Sequence, residues 1–346
     1  MTSVSVVIPC YKYGHFLEEA VASVLDDQRG VDVRVLIIDD ASPDDSAEVA
    51  RKIAARDPRV EVIVHAVNRG NIATFNEGLL EWAEGDYCVL MSADDRLTPG
   101  ALRRARDLLD ANPRVGFVYG CPLWFWQDKP LPAARMRLRG WSVWPGQWWL
   151  ERRLRQAENN ITSPEVVVRT SLLKKVGGYD PRLPHSGDFE MWLRLAMNAD
   201  VGFLRGVDQA YYRVHGQNMR AAFTGLADLR QQRLAFEVFF DRYWDSIPDA
   251  KRLSGIVHRK LAKEALWAAA RAYDQGRTQQ AGIDDLVAFA FDCWPDANRL
   301  PVYHTLRLRQ LAGPRTMSRL EPMIASPFAR KAHGWLRRRS WKYRGF

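Results

Sequence analysis

Three carboxylate sites in this chain stand where chemistry can use them. Asp39-Asp40 closes the apolar run 33–38, Asp94-Asp95 follows the run 87–91, and Asp188 lies in Ser-Gly-Asp-Phe-Glu-Met-Trp-Leu-Arg. Two of these sites fall where buried strands should end, and open α/β sheets bind ligands just outside the carboxyl ends of their strands. Gathering several acids in one crevice is costly unless a cation or a donor-rich ligand compensates. The pattern therefore points to a metal-dependent site.

The elements that must position these acids can be read from periodicity. Runs 3–8, 33–38, 60–64 and 87–91 are continuous apolar strands, and they alternate with helical segments 13–25, 42–56, 71–82 and 99–112. Continuous rather than alternating apolar strands imply burial on both faces, hence a Rossmann-like, mostly parallel sheet flanked by helices. After 115–119 the pattern loosens, and 123–149, rich in Trp, Pro and Arg, reads either as an acceptor-facing insertion or as an irregular packing layer. Strand character resumes at 166–168, 201–204 and 211–214, with a short helix at 191–197, and beyond 226 only helical periodicity remains. The expected division is a domain over 1–220, in two halves of about 1–120 and 121–220. A basic helical region over 221–346 follows.

Composition excludes other classes. With 47% hydrophobic and 26% charged residues, the 346-residue chain has the makeup of a soluble globular protein. The richest apolar run, 115–126, is broken by Gly and Pro and is too short to cross a bilayer. Four widely spaced cysteines show no zinc spacing, so buried free thiols in a reducing, cytoplasmic setting are expected. Residues 1–220 carry a net −1 and residues 221–346 a net +10, which together give the formal +9. The basic excess thus belongs to the C-terminal third and suggests an anionic partner there.

No Gly-x-Gly-x-x-Gly and no Gly-x-x-x-x-Gly-Lys follows the first strand, so phosphate must be held another way. A carboxylate-bound Mg²⁺ or Mn²⁺ is the natural substitute, and Ser92-Ala93-Asp94-Asp95 supplies the acids. An Asp-Asp pair on an arbitrary loop is usually just solvated. One placed after a buried strand, with Asp39-Asp40 at a parallel position, is not so easily dismissed. Asp188 has its own chemical argument: transfer to an acceptor hydroxyl needs a carboxylate to take the proton, coming from a separate part of the chain. It also reads as a cap for the helix that follows, and Glu190 is the weaker candidate for the base.

Six segments occur in order: Val-Ser-Val-Val-Ile-Pro-Cys-Tyr-Lys (4–12), Ile-Ile-Asp-Asp-Ala-Ser (37–42), Asn-Arg-Gly-Asn (68–71) with Asn76 and Gly78, Glu-Gly-Asp-Tyr (84–87), Ser-Ala-Asp-Asp (92–95) and Gly-Asp-Phe-Glu-Met-Trp-Leu-Arg (187–194). Together, over residues 3–218, they resemble the family 2 glycosyltransferases, inverting enzymes with the GT-A fold. The resemblance implies a nucleotide-sugar donor, a divalent metal (Mn²⁺ or Mg²⁺) and inversion at the anomeric carbon. It further implies that Pro9 and Tyr11 shape the loop over the nucleobase and that Asp40 accepts from a base N–H. Asp39 would hold that turn, and Asn68 belongs to the same nucleotide-binding set. Asp94 would face the ribose or donor sugar, Asp95 the metal, and Asp188 would serve as general base. The residue before Asp188 is Gly187 where the family pattern has Glu, which leaves in doubt any help from a neighbouring acid.

His215 is a second metal-ligand candidate by the same resemblance, and a lone His is as often a packed residue. Arg213 and Arg220 could meet phosphate or stay solvated. Aromatic faces suit sugar rings, yet most of the thirteen tryptophans should pack in the core. The tail from Arg330 to Phe346 holds seven Lys and Arg, no acid, and Trp335, Trp341, Tyr343 and Phe346 between them. That composition suits a peripheral contact with an anionic membrane surface. Single-stranded nucleic acid is the less favoured partner, and packing on the catalytic domain or forming a homodimer is the bland alternative. The expected donor is a UDP-sugar and the acceptor a glycan, a lipid-linked glycan or a small molecule. Rival readings are a sugar nucleotidyltransferase, which should carry a basic Gly-rich loop where Pro9-Cys10-Tyr11-Lys12 stands, and a catalytically retired nucleic-acid- or membrane-binding protein.

Overall fold

The computed structural model describes residues 2–219, 223–279, 281–324 and 341–346, with side chains of 321–324 left aside. It divides into two compact units, the first comprising Met1–Leu150, Asn160–Asn218 and Trp341–Phe346, the second Glu151–Asn159 and Met219–Ser340.

The first unit is built on a nine-stranded sheet of order β3-β2-β1-β4-β8-β6-β9-β5, with β7 pairing β9. Its N-terminal half alternates β1 (Ser3–Cys10), α1 (Gly14–Leu25), β2 (Asp32–Asp39), α2 (Ser46–Arg56), β3 (Val60–Val64), α3 (Asn71–Asn76) and β4 (Tyr87–Leu90). β1 pairs parallel with both β2 and β4, and β2 with β3, so the carboxyl ends of all four strands share one edge. Val4, Val6, Val7 and Ile8 are all buried, as continuous apolar strands covered on both faces must be. α1 buries Phe16, Leu17, Ala20, Val21 and Val24, the stripe its spacing foretells. The helix expected over 71–82 changes its winding: α3 runs on into a π turn at Glu77–Trp82. Gly78 lets this turn pack closely on β1, because a Cβ there would come within 2.3 Å of Val7.

The other half mixes strand directions. β5 (Arg96–Leu97), β6 (Val115–Trp126), β7 (Trp141–Trp144), β8 (Val167–Arg169) and β9 (Asp200–Val214) accompany α4 (Ala101–Ala111), α5 (Gly146–Gln156), α6 (Thr170–Val176) and α7 (Gly187–Asn198). β8 is antiparallel to β4 and β6, and β5 and β7 are antiparallel to β9. Two expectations are corrected here. The strands read at 201–204 and 211–214 are one fifteen-residue strand, β9. Its middle looks like a break because Gly206 sits at φ 83° and Asp208 is polar, but Asp208 is buried against Arg135, with Oδ1 taking Nη2 at 2.6 Å. The second correction is that the helix read at 191–197 begins at Gly187.

The C-terminal residues return to this unit. Trp341 stacks on Tyr119 with centroids 5.8 Å apart, Tyr119 Oη donates to the Gly345 carbonyl at 2.8 Å, and Phe346 meets the Trp144 ring at 4.8 Å. Two of the tail aromatics expected at a lipid surface are therefore packed against the sheet. Residues 330–340 lie outside the described residues.

The second unit is helical: α8 (Leu226–Tyr243), α9 (Ala250–Asp274), α10 (Ile283–Cys293), α11 (Pro301–Ala312) and α12 (Pro314–Ile324). α9 is its axis, burying Leu253, Val257, Leu261, Ala265 and Ala269 at four-residue spacing against the other four helices. Arg309 Nε donates to Asp274 at 2.8 Å and ties α11 to its end. Among the described residues no helix is long and apolar enough to cross a membrane. All four cysteines are free and buried.

Candidate active site

The turn after β4 carries Asp94 and Asp95, which are 5% and 2% exposed. Burial pushes the Asp95 carboxyl well above the ordinary range, and the neighbouring Asp94 charge pushes it further. The hydrogen bond from Arg213 works against this. Arg213, at the end of β9, donates its backbone N–H to Asp95 Oδ1 at 2.9 Å, Nε to the Asp94 carbonyl at 2.7 Å and Nη2 to Glu19 at 2.6 Å. Its guanidinium lies over the rings of Phe16 and Phe125, at 4.3 and 4.6 Å. It is thus a buried support for the acidic turn rather than a solvated phosphate hook. Arg220, its companion in the sequence reading, lies outside the described residues.

His215 is drawn into the same cluster, with Nε2 2.9 Å from Asp94 Oδ2. Because Gln217 N–H donates to Nδ1 at 3.2 Å, the proton resides on Nε2 and is given to Asp94. Asn218 Nδ2 donates to the same oxygen at 2.9 Å. His215 therefore meets Asp94 rather than Asp95. Among the described residues no three His, Cys, Asp or Glu side chains converge as a cation cage. The donor set fits a hard cation that takes one or two carboxylates and completes its shell with phosphate oxygens and water. Two adjacent buried carboxyls, one pushed well above the ordinary range by burial and by its neighbour's charge, are what such a cation would relieve.

Along the edge from there, Asp39 and Asp40 end β2. Asp39 Oδ2 accepts Ser42 N–H at 3.0 Å and closes the turn, while its buried Oδ1 has no hydrogen-bond partner among the described residues. Asp40 is more heavily engaged: Oδ1 accepts Arg69 N–H at 2.7 Å and faces His65 Nδ1 at 2.7 Å, and Oδ2 accepts Gly70 N–H at 2.9 Å. Burial alone would push the Asp40 carboxyl up. The bonds from Arg69, His65 and Gly70 outweigh it and hold the group below the usual carboxylate range. Asn68 Nδ2 donates to the Asp40 carbonyl at 2.9 Å, so it braces the backbone of that residue. Pro9, near the end of β1, pairs with Ile38, and Tyr11 just beyond is 43% exposed with Lys12 over its ring.

The third acid lies elsewhere in the chain. Asp188 is in the first turn of α7, half-buried, with Oδ1 accepting the Phe189 N–H at 2.7 Å. Glu190, its rival for a chemical role, is wholly buried and bonds Arg194 twice, at 3.0 and 2.5 Å. Arg194 in turn donates to the carbonyls of Val176, Gly177 and Gly178. Glu190 is thus committed to holding α7.

Sequence reading missed Glu165. It closes a capping box with Thr162, whose N–H it accepts at 2.7 Å, yet it is fully buried. Burial pushes its carboxyl up to about 8, against the Thr162 bonds that lower it, and the charge of Asp188 contributes on the raising side. Glu165 also acts to raise Asp95, so it feels the charge of Asp188 on one side and acts on Asp95 on the other. A Thr-x-x-Glu box is the only sequence signal, and it suggests capping alone. His65 was missed too, since a single His after a strand carries no pattern.

The family model described as Glycosyl transferase family 2 matches residues 5–174. The succinoglycan biosynthesis protein ExoA of Rhizobium meliloti is 30% identical over 205 residues, 56% of this chain and 58% of that protein. Matches to the first curated relatives span 66% or less of their length. Among solved structures, S. aureus TarS 1–349 in complex with UDP-GlcNAc superimposes with TM-score 0.60 at 16% identity, over 93% of this chain and 92% of that one. The mannosyltransferase PcManGT of Pyrobaculum calidifontis, in complex with GDP-Man and Mn²⁺, gives TM-score 0.52 at 18% identity over 92% and 83%. At such identities the likeness speaks for the fold alone, which is GT-A. With the family match over residues 5–174 and the ordered acidic motifs on that fold, the chain carries a glycosyltransferase family 2 domain.

Proposed function

We propose that the protein is a metal-dependent, inverting glycosyltransferase that moves one sugar from a nucleoside-diphosphate donor, a UDP-sugar, to a glycan, lipid-linked or small-molecule acceptor. The observation that carries the reading is Asp95, buried beside Asp94 with its carboxyl raised, on the strand-end edge it shares with Asp40. A divalent cation there would supply charge neutralisation for the departing diphosphate. Asp95 would hold it, with Asp94 on the ribose or donor sugar and His215 adjoining through Asp94. Asp40 accepts from the base, and Pro9, Tyr11, Asp39 and Asn68 shape the surrounding loops. Asp188, half-buried in the first turn of α7, takes the acceptor proton as the hydroxyl attacks the anomeric carbon, while Glu190 is bound to Arg194.

The solved neighbours bear UDP-GlcNAc in one case and GDP-Man with Mn²⁺ in another, which supports a nucleotide-sugar donor and a metal. ExoA's part in succinoglycan biosynthesis supports a polysaccharide or lipid-linked acceptor. Four free buried cysteines suit a reducing compartment such as the cytoplasm. A panel of UDP-, GDP- and TDP-sugars in thermal shift, with and without Mn²⁺, tests the reading. Stabilisation by a UDP-sugar that requires Mn²⁺ is expected. A preference for GDP-sugars would overturn the uracil assignment, and indifference to Mn²⁺ would overturn the metal.

A further inference from the structure

Resting on the reading of Asp40 as the nucleobase acceptor, we propose that His65 is a positioning residue that fixes which lone pair Asp40 offers the base. An ionised carboxylate has about four acceptor directions. Three are already taken at Asp40: His65 Nδ1 at 2.7 Å and Arg69 N–H at 2.7 Å on Oδ1, and Gly70 N–H at 2.9 Å on Oδ2. One direction, on Oδ2, remains for a ring N–H.

The imidazole is itself locked. It follows β3, its backbone N–H donates to the Asp39 carbonyl at 2.9 Å, and its side chain is 5% exposed. Nε2 faces Glu77 Oε2 at 2.9 Å, and Arg69 Nη1 donates to that oxygen at 2.6 Å. Asp40, His65, Glu77 and Arg69 thus form a closed ring of hydrogen bonds, completed by the Arg69 N–H on Asp40. Glu77 reaches the ring because it opens the π turn after α3, a local rewinding that recurs at functional sites. Without the His65 bond only the Arg69 and Gly70 N–H groups hold the Asp40 carboxylate, its remaining direction is less narrowly aimed, and part of that ordering falls to the incoming nucleotide. Preorganised acceptors spare a ligand that ordering cost.

Calorimetry of the full chain with UDP and with CDP, at saturating Mn²⁺, tests the proposal. Cytosine lacks the N3–H of uracil, so the UDP-over-CDP preference reports how well Asp40 is aimed. Asn placed at 65 sets its amide near the Nδ1 position and reaches Asp40, whereas Gln sets it near Nε2 and reaches only Glu77. His65→Asn is expected to keep the UDP affinity within about threefold. His65→Gln is expected to weaken it about tenfold and to erode the UDP-over-CDP preference, with kcat at saturating donor unchanged. Glu77→Gln, which loosens the ring without altering His65 or Asp40, should weaken UDP a fewfold and serves if the Gln variant does not fold. Equal effects of His65→Asn and His65→Gln, with Asp40→Asn still weakening UDP strongly, would overturn the positioning role alone. If Asp40→Asn leaves UDP affinity unchanged, the reading of Asp40 fails, and the proposal with it.

Discussion

Arg213 N–H donates to Asp95 Oδ1 at 2.9 Å across 118 residues of sequence. The far end of a fifteen-residue strand therefore holds the acidic turn after β4 in place, with the Arg213 side chain on the Asp94 carbonyl as a second tie. One oxygen of Asp95 is thus fixed by the protein.

Asp95→Asn keeps an oxygen for the Arg213 bond and removes the charge. Turnover is expected to fall by roughly 10² or more, with loss of the Mn²⁺-dependent part of nucleotide affinity and little change in melting. Titration calorimetry with UDP in Mn²⁺ and in EDTA measures this. Mn²⁺-dependent affinity that survives the substitution would show that the metal sits elsewhere.

Glu165 makes stability depend on pH in a definite direction. Its ordinary value is 4.5 and in the fold it stands at about 8. Between those values the folded protein holds a proton that the unfolded chain has released, so stability falls as pH rises from 4.5 to 8 and levels off above. Glu165→Gln removes that penalty. The variant should melt close to wild type at pH 5 and higher by roughly 5 °C at pH 8.5. Parallel melting curves across that range would show that the buried carboxyl is not proton-linked.

Glu190 and Asp188 separate by what they disturb. Glu190→Gln leaves the buried Arg194 charge without its partner, a loss on the order of 3–5 kcal/mol in denaturant unfolding. The protein that remains folded should turn over near normally. A dead but fully stable Glu190→Gln would move the base from Asp188 to Glu190.

Phe346 is 9% exposed against Trp144, Trp148 and Trp149. Phe346→Ala should cost about 3 kcal/mol and leave sedimentation with anionic liposomes unaltered. Reduced liposome binding at unchanged stability would restore this residue to a membrane contact.

Much of the β1–β4 half is legible in sequence because it depends on local patterns: continuous apolar strands, amphipathic helices, and acids placed at strand ends. Asp40, Asp94 and Asp95 stand out that way, and Asp188 by the segment 187–194 in which it lies. The long-range ties do not. β9 looks like two strands because an exposed Arg205 and a left-handed Gly206 interrupt it, and only the distant Arg135 explains Asp208. His65 gains meaning only when Glu77 arrives from a π turn no periodicity encodes. Glu165 reads as a cap, and its burial depends on strands from three other parts of the chain. The tail reads as basic and aromatic, yet Trp341 and Phe346 are claimed by a sheet more than a hundred residues away in sequence.

The central claim, single-displacement transfer with Asp188 as base, is tested most directly by proton NMR of the product. The experiment follows the anomeric coupling of the transferred sugar, using an α-linked UDP-sugar, Mn²⁺ and either wild-type protein or Asp188→Asn. A β-linked product is expected from wild type, formed roughly 10² or more times slower by Asp188→Asn with donor affinity unchanged. An α-linked product, or near-normal turnover by Asp188→Asn, would contradict the account.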